Sequence, residues 1–551
     1  MTKIILSFIA FICLILNSIL IKQGNFGITP FLCWIIAIIC TIYIFLPVKT
    51  FPKIYLKHHH FFIITLIIFL YSLRGLLFID PSNVYFHNDE GIISRNAQNN
   101  FTSAISSGKW NLLGSENGTL NKLPSPWYFI QGFFISILGP SLFSIKFFSL
   151  ITDFLICILG YLLVKKILDS RFGLLFILIY ASLPISIHFS LTGYQNIQST
   201  FFLVLSIYFL FNSSYNNINK SFFILLSGIA SALSFYFYLS AAIVPIIVVA
   251  SILLICFMSK IKFKGVIKTL IIYLIGLIEG LIPYFTYNFF HYSFIAGRKE
   301  AILFSSSTNN FLSLLLNQAK TYFLGFLPNG SMNGSGLFYG YLPGFSTWIL
   351  LIIFLLGVVY ILFKKNNLGI VSIIVITITS VFGGIMTSEP PAPQRLIHIF
   401  PFIAIIVCFG IKFITIFLKK IIPFFNQKIL LFSIIFIVIF TNVYSFISSN
   451  LPTYHKLLNQ DVYEITKIIN RNSQKLFFSA PIHKIDQIYY YSQGKINPEP
   501  ISENDFVNID TGYYFVDEPS FTLLKNSLDS TKYELVKEWF GAYDHITLLK
   551  L

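Results

Sequence analysis

The chain has 551 residues, 56% of them hydrophobic and only 11% charged, with a mean hydropathy of +0.76. Soluble domains carry roughly 25% charged residues, so this chain has too few to wet a globular surface and a water-soluble fold is excluded. The formal net charge of +16 would suggest nucleic acid in a soluble protein. Here the basic residues sit in short loops between apolar runs, which is how membrane proteins fix their orientation, and no nucleic-acid partner is expected.

Taken in chain order, about thirteen apolar runs are long enough to span a membrane: near 3–21, 29–47, 61–79, 143–164, 172–190, 196–212, 222–238, 240–258, 266–288, 346–363, 368–386, 396–418 and 428–448. The first could pass for a signal peptide, but it lacks a small-residue cleavage site and a second span follows at once, so it reads as a retained helix. With the N-terminus cytoplasmic, the compact lysine clusters fall on one side: Lys49 to His60, Lys165 to Arg171, Asn212 to Lys220, Lys260 to Lys268, Lys364-Lys365 and Lys419 to Lys428. The six cysteines all lie inside apolar runs with no CxxC pair, and read as small buried hydrophobes.

The opposite, outer side then holds loops 80–141 and 289–345 and a tail, 449–551, whose composition turns polar and mixed. In that tail a helical stretch (Tyr454–Ile469) is followed by strand-like runs at Lys475–Ala480, Gly512–Val516, Tyr533–Trp539 and Ile546–Leu551, which predicts a small α/β domain outside the membrane. The fold class expected is therefore mainly α, a polytopic membrane helix bundle with a small C-terminal extracytoplasmic α/β domain. Residues 1–60 form two additional N-terminal spans and a cytoplasmic loop, 61–448 the main bundle and 449–551 the outer domain.

The first outer loop is too long for a connector. It opens on His87-Asn88-Asp89-Glu90-Gly91, an acidic pair just after a span. Ile93, Ala97, Phe101, Ala104 and Ile105 then recur at helical spacing, predicting an amphipathic helix along the membrane surface that ends near Gly108. Next come Trp110, then Pro124-Ser125-Pro126-Trp127-Tyr128, a short apolar helix to Gly139, and a span carrying Lys146 to Ser149.

This succession resembles the GT-C superfamily of polyprenyl-phosphate-sugar glycosyltransferases, in particular the protein O-mannosyltransferases and the lipid A aminoarabinose transferases. The resemblance runs from about residue 61 onward. It implies an enzyme that moves a sugar from a polyprenyl-phosphate carrier to a protein, lipid or polysaccharide acceptor at the outer face of a plasma (inner) membrane. It implies Asp89 as the general base of an inverting transfer and Glu90 as the neighbouring carboxylate. Arg395 matches the family's arginine before a late helix and ranks first for the lipid phosphate.

Other residues draw attention for their chemistry. A departing phosphate needs cations or amide donors, so Arg298, Arg95 and Lys122 are further substrate-binding candidates, and Tyr128 another. Asp153, mid-span, is costly in lipid and calls for a cavity or a partner such as Tyr or Lys; Glu279 reads the same way. Asn196 stands where acid-rich members of the family carry a carboxylate. An amide bonds a sugar hydroxyl but is a weak divalent-ion ligand, so no metal or other cofactor is expected to be required. His87, His188 and His291 lack ligand spacing and read as polar packing. The alternatives are a transporter or flippase of lipid-linked sugar, which would call for inverted repeats and more intramembrane charge, and a non-catalytic scaffold with the same fold.

Overall fold

The computed structural model describes residues 2–46, 58–80, 83–84, 86–113, 115–117, 122–215, 220–291, 311–330, 344–387, 392–421, 427–452, 460–472, 476–478, 482–496, 499–500, 513–517, 522, 534–540 and 545–550. Among these, ten helices are long and apolar enough to cross a membrane. The remaining expected spans are present in other forms. Residues 220–236 and 348–364 are shorter apolar helices, and the stretch expected as one span at 172–190 is two helices bent by 68°.

The bundle begins with α1 (Thr2–Lys22), α2 (Ile28–Phe45) and α3 (His58–Gly75). The outer segment gives α4 (Asn88–Ser107), a two-stranded ribbon of β1 (Ser115–Asn117) and β2 (Lys122–Pro124), and α5 (Ser125–Leu138). Both helices stop where the sequence supplies a glycine in the left-handed region, Gly108 at φ 68° and Gly139 at φ 78°. The long α6 (Leu142–Ile167) follows, then the bent pair α7 (Ser170–Ser182) and α8 (Pro184–Ser190), then α9 (Asn196–Tyr215), α10 (Lys220–Leu233), α11 (Val244–Met258) and α12 (Phe263–Phe290).

Further along lie α13 (Phe311–Phe326), α14 (Trp348–Lys364), α15 (Asn367–Thr379), the short α16 (Pro393–Leu396), α17 (Phe400–Ile421) and α18 (Gln427–Ser445). Glycines let several of these backbones touch. A Cβ on Gly357 would lie 2.2 Å from the Ile406 carbonyl oxygen, and one on Gly410 2.0 Å from that of Ile353, so α14 and α17 pack at the closest approach two helices allow. Gly228 and Gly276 do the same for α10 and α12. The outward faces of α1, α2, α12, α14 and α18 carry exposed Ile, Leu and Phe, the surface a lipid solvent requires.

The tail forms a small mixed sheet with two helices, α19 (Gln460–Asn472) and α20 (Ile482–Tyr491). The strand order is β4 (Glu499–Pro500), β3 (Leu476–Phe478), β5 (Tyr513–Asp517), β7 (His545–Lys550) and β6 (Glu534–Phe540). The β3 strand is parallel to both β4 and β5, and the other pairings are antiparallel. Val462, Ile465 and Ile469 of α19 and Ile488 of α20 pack on Leu476, Phe478, Tyr513 and Phe515 of the sheet. The sequence pattern located β3, β5, β6 and β7 within a few residues; the helix expected at Tyr454–Ile469 is α19, and residues 454–459 of that expectation lie outside the described residues; α20 was not anticipated.

Candidate functional site: a carboxylate pair at a helix start

Helix α4 begins with a reciprocal cap. The His87 side chain accepts the Asp89 backbone N–H at 3.1 Å through Nδ1, while Glu90 reaches back to the His87 N–H. Two carboxylates in a first turn also meet the positive end of the helix dipole. The Tyr194 hydroxyl lies within hydrogen-bonding reach of the same Nδ1.

The two acids then diverge. Glu90 is fully buried; its Oε2 accepts from Lys146 Nζ at 2.7 Å and from the Gly193 backbone N–H at 2.8 Å. Lys146, also fully buried, lies on α6, and burial disfavours either charge without the other. Asp89 has a side chain 39% exposed, with Oδ2 3.8 Å from His87 Nδ1. One acid is thus neutralised inside the bundle, and the other stays partly accessible beside His87.

The Gly193 N–H reaches Glu90 because the preceding span is broken. Pro184 lacks an N–H, and Leu183 before it is extended (φ −60°, ψ 127°), the conformation a residue before proline favours. The bend frees carbonyls, and Arg74 of α3 meets them. Its Nη2 donates to the Ala181 carbonyl at 2.7 Å, and its Nη1 to Ser190 Oγ at 2.7 Å and to Asp153 Oδ2 at 2.6 Å. Asp153 also accepts from Tyr71, Tyr180 and Ser186. The whole of α8 is buried, and the loop after it is tied to α6 by Ser149, whose Oγ donates to the Tyr194 carbonyl at 3.3 Å. A Cβ on Gly193 would lie 2.3 Å from Ile145 Cγ2, so only glycine brings its N–H to Glu90.

Arg395 lies in α16. Its Nη1 is buried and has no hydrogen-bond partner among the described residues. The turn after it is fixed to α9: His398 Nδ1 is 2.9 Å from Thr200 Oγ1, one helical turn along from Asn196. Asn196 is itself buried at the first position of α9. The loop before α9 thus meets the acid pair through Gly193 and Tyr194, and the first turn of α9 meets the segment after Arg395 through Thr200.

Residues 124–285 match the family described as Dolichyl-phosphate-mannose-protein mannosyltransferase. The crystal structure of ArnT from Cupriavidus metallidurans bound to undecaprenyl phosphate superposes with a TM-score of 0.54 at 9% identity, covering 88% of this chain and 98% of that one. The Archaeoglobus fulgidus oligosaccharyltransferase tethered to an acceptor peptide gives a TM-score of 0.50 at 10% identity, over 89% of this chain and 74% of its own. The chain has the GT-C fold. No curated protein sequence matches it.

Within this GT-C bundle several expected substrate contacts are engaged otherwise. Asp153 is consumed by Arg74, two tyrosines and a serine, so it serves the bent span and is not free for a ligand; its cationic partner is an arginine, not the lysine considered from sequence. Arg95 stacks on Tyr489 of α20, its guanidinium carbon 3.6 Å from the ring centroid, which directs it to the tail rather than to a lipid. Tyr128 is fully buried against Trp127, a packing position. Lys122 lies in β2, its side chain outside the described residues, and Arg298 is outside them altogether. Glu279 accepts from Thr41 of α2 at 2.8 Å, and its carbonyl receives Trp34 Nε1 of the same helix at 3.1 Å, so it fastens α2 to α12.

Three residues of the site were not singled out for it from sequence: Lys146, Gly193 and Arg74. Lys146 and Arg74 each carry the one signal available, a cation inside an apolar run. Among the described residues no three His, Cys, Asp or Glu side chains converge on one point.

Proposed function

We propose that this protein transfers a sugar from a polyprenyl-phosphate-sugar donor to an acceptor at the outer face of the plasma (inner) membrane, with inversion at the sugar carbon and Asp89 as general base. The observation that carries the reading is the division of labour in the acid pair. Glu90 has its charge balanced by Lys146 and its Oε2 also bonded by Gly193, whereas Asp89 keeps an exposed side chain next to it. A base must reach its proton donor from an open face, so Asp89 is the carboxylate able to take a proton from an acceptor hydroxyl.

The leaving phosphate needs a cation. Arg395, whose buried Nη1 has no hydrogen-bond partner among the described residues, suits a phosphate oxygen, since a buried donor of that kind is costly until an anion meets it. The ArnT structure of the same fold holds undecaprenyl phosphate, which supports a lipid-linked donor here, and the oligosaccharyltransferase of the same fold is tethered to an acceptor peptide, which supports transfer to an acceptor. Arg298 and Lys122 stay in this reading as further phosphate contacts. Asn196, an amide at the start of α9, is suited to a sugar hydroxyl. No cofactor is required: EDTA treatment is expected to leave transfer intact, and loss of transfer restored by a divalent salt would overturn that point.

The deciding experiment is glycan profiling of cells carrying Asp89→Asn at normal protein level. Loss of transfer by about 10²–10⁴-fold is expected of a missing general base. Unchanged transfer would remove Asp89 from the role, and lipid-linked sugar crossing the membrane without transfer would point to a transporter instead.

A further inference from the structure

A cleft of about 610 Å³ opens at the lysine-rich end of the bundle, where the start of α1, the end of α2 and the starts of α10 and α12 meet. Its wall is divided. Lys3, Lys264, Lys268 and Ser221 supply the polar side; Ile267 and Ile271, with Phe45 opposite, supply much of the apolar side. The three lysines come from two helices, and among the described residues none of them is in an ion pair.

Along α12 cationic and apolar side chains share one face. Lys264, Ile267, Lys268 and Ile271 fall at i, i+3, i+4 and i+7, one stripe of a helix. From Lys264 to Ile271 the helix rises about 10 Å, enough to pass from the headgroup layer into the first acyl methylenes. Lysine and isoleucine alternate along the stripe, which opens on Lys264 and closes on Ile271. Ile267 and Ile271 are 41% and 51% exposed, so the apolar half of the stripe is open to an acyl chain. Three ammonium groups with no ion-pair partner among the described residues are complementary to an anion. The positive-inside rule sets this end against the cytoplasmic leaflet, where anionic lipids concentrate.

We propose that this cleft binds one anionic glycerophospholipid, its phosphate among Lys3, Lys264, Lys268 and Ser221 and one acyl chain along Ile267 and Ile271. The site exists because α1 and α2 are there: Lys3, Ile44 and Phe45 come from them, and the rest from α10 and α12. The lipid therefore fills the seam between the first two helices and the bundle. Deeper in the same seam, Thr41 and Trp34 already bond to Glu279. The proposal is independent of the sugar-transfer reading.

The test is native mass spectrometry of the purified full chain. Phosphatidylglycerol and phosphatidylcholine of identical acyl chains are added at equal concentration. Wild type is expected to retain phosphatidylglycerol at least tenfold better, since each lysine near an anionic headgroup favours binding about fivefold. The triple variant Lys3→Gln, Lys264→Gln, Lys268→Gln is expected to lose that preference, and the control Lys364→Gln, Lys365→Gln, Lys420→Gln to keep it. Equal retention of the two lipids by wild type overturns the proposal, and that comparison needs no variant to fold. So does a triple variant, eluting as a normal monodisperse species, that keeps the preference. Inorganic phosphate competing with the lipid at equal concentration would also overturn it, because the acyl contact would then contribute nothing.

Discussion

At the residue scale, the site depends on two buried ion pairs with different partners to satisfy. Lys146 and Glu90 are both fully buried at 2.7 Å, so removing one charge strands the other. Lys146→Met is expected to cost about 3–5 kcal/mol, read as a fall in yield and in thermal stability in detergent. The double variant Lys146→Met, Glu90→Leu should recover much of the stability but not the activity, because Gly193 loses its acceptor. Gly193→Ala is a finer test. Its methyl would meet Ile145, and the expected outcome is a folded protein with reduced transfer; full activity would mean that the Gly193 N–H does not matter. The sequence displayed Asp89 and Glu90 plainly, as adjacent acids at a helix start. It did not display their inequality, because the partner that distinguishes them is Lys146, 56 residues away, and nothing local predicts which acid it chooses.

At the element scale, the bend between α7 and α8 decides the site. The apolar run at 172–190 looked continuous because hydropathy does not register a missing N–H. The signal in the sequence is Pro184. Arg74 and Asp153 then turn a liability into a fixed angle: the guanidinium donates to a carbonyl the broken helix no longer serves. Arg74→Met is expected to lose both activity and stability. Asp153→Asn keeps the shape and an acceptor for the tyrosines but leaves Arg74 uncompensated, so it too should destabilise, by about 3–5 kcal/mol; an Asp153→Asn protein as stable as wild type would sink this account. The helix ends at Gly108 and Gly139, by contrast, were legible, since a left-handed residue after an apolar run is a local matter.

At the scale of the whole molecule, the tail is fastened to the helix that carries the acids. A Cβ on Gly91, the residue after Glu90, would lie 3.2 Å from Asp486 Cβ of α20. Gln487 Nε2 donates to the Phe86 carbonyl at 3.2 Å, and Arg95 stacks on Tyr489. Burial raises the Asp486 carboxyl from 3.8 to about 6, against the opposing pull of Arg95. A carboxyl raised on folding contributes stability that is complete below pH ~4 and lost as pH rises through about 6. Asp486→Asn, neutral at every pH, should therefore raise the apparent melting temperature at pH 8 and leave it nearly unchanged at pH 4. An identical shift at both would show that the carboxyl's titration is not involved. The α20 helix escaped the sequence reading for a related reason: several of its residues are there to meet α4 and not only their own sheet.

The Arg74 contacts also bear on how the chain is made. Asp153 lies 79 residues after Arg74, and at synthesis rates of roughly 5–20 residues per second it emerges about 4–16 s later, with the α7–α8 carbonyls later still. During that interval α3 holds a cation whose final partner has not yet been made. It must rest near the aqueous boundary, its long stem reaching for water. It can settle to its final depth only when α6 arrives. Insertion of the third helix is thus completed by the sixth.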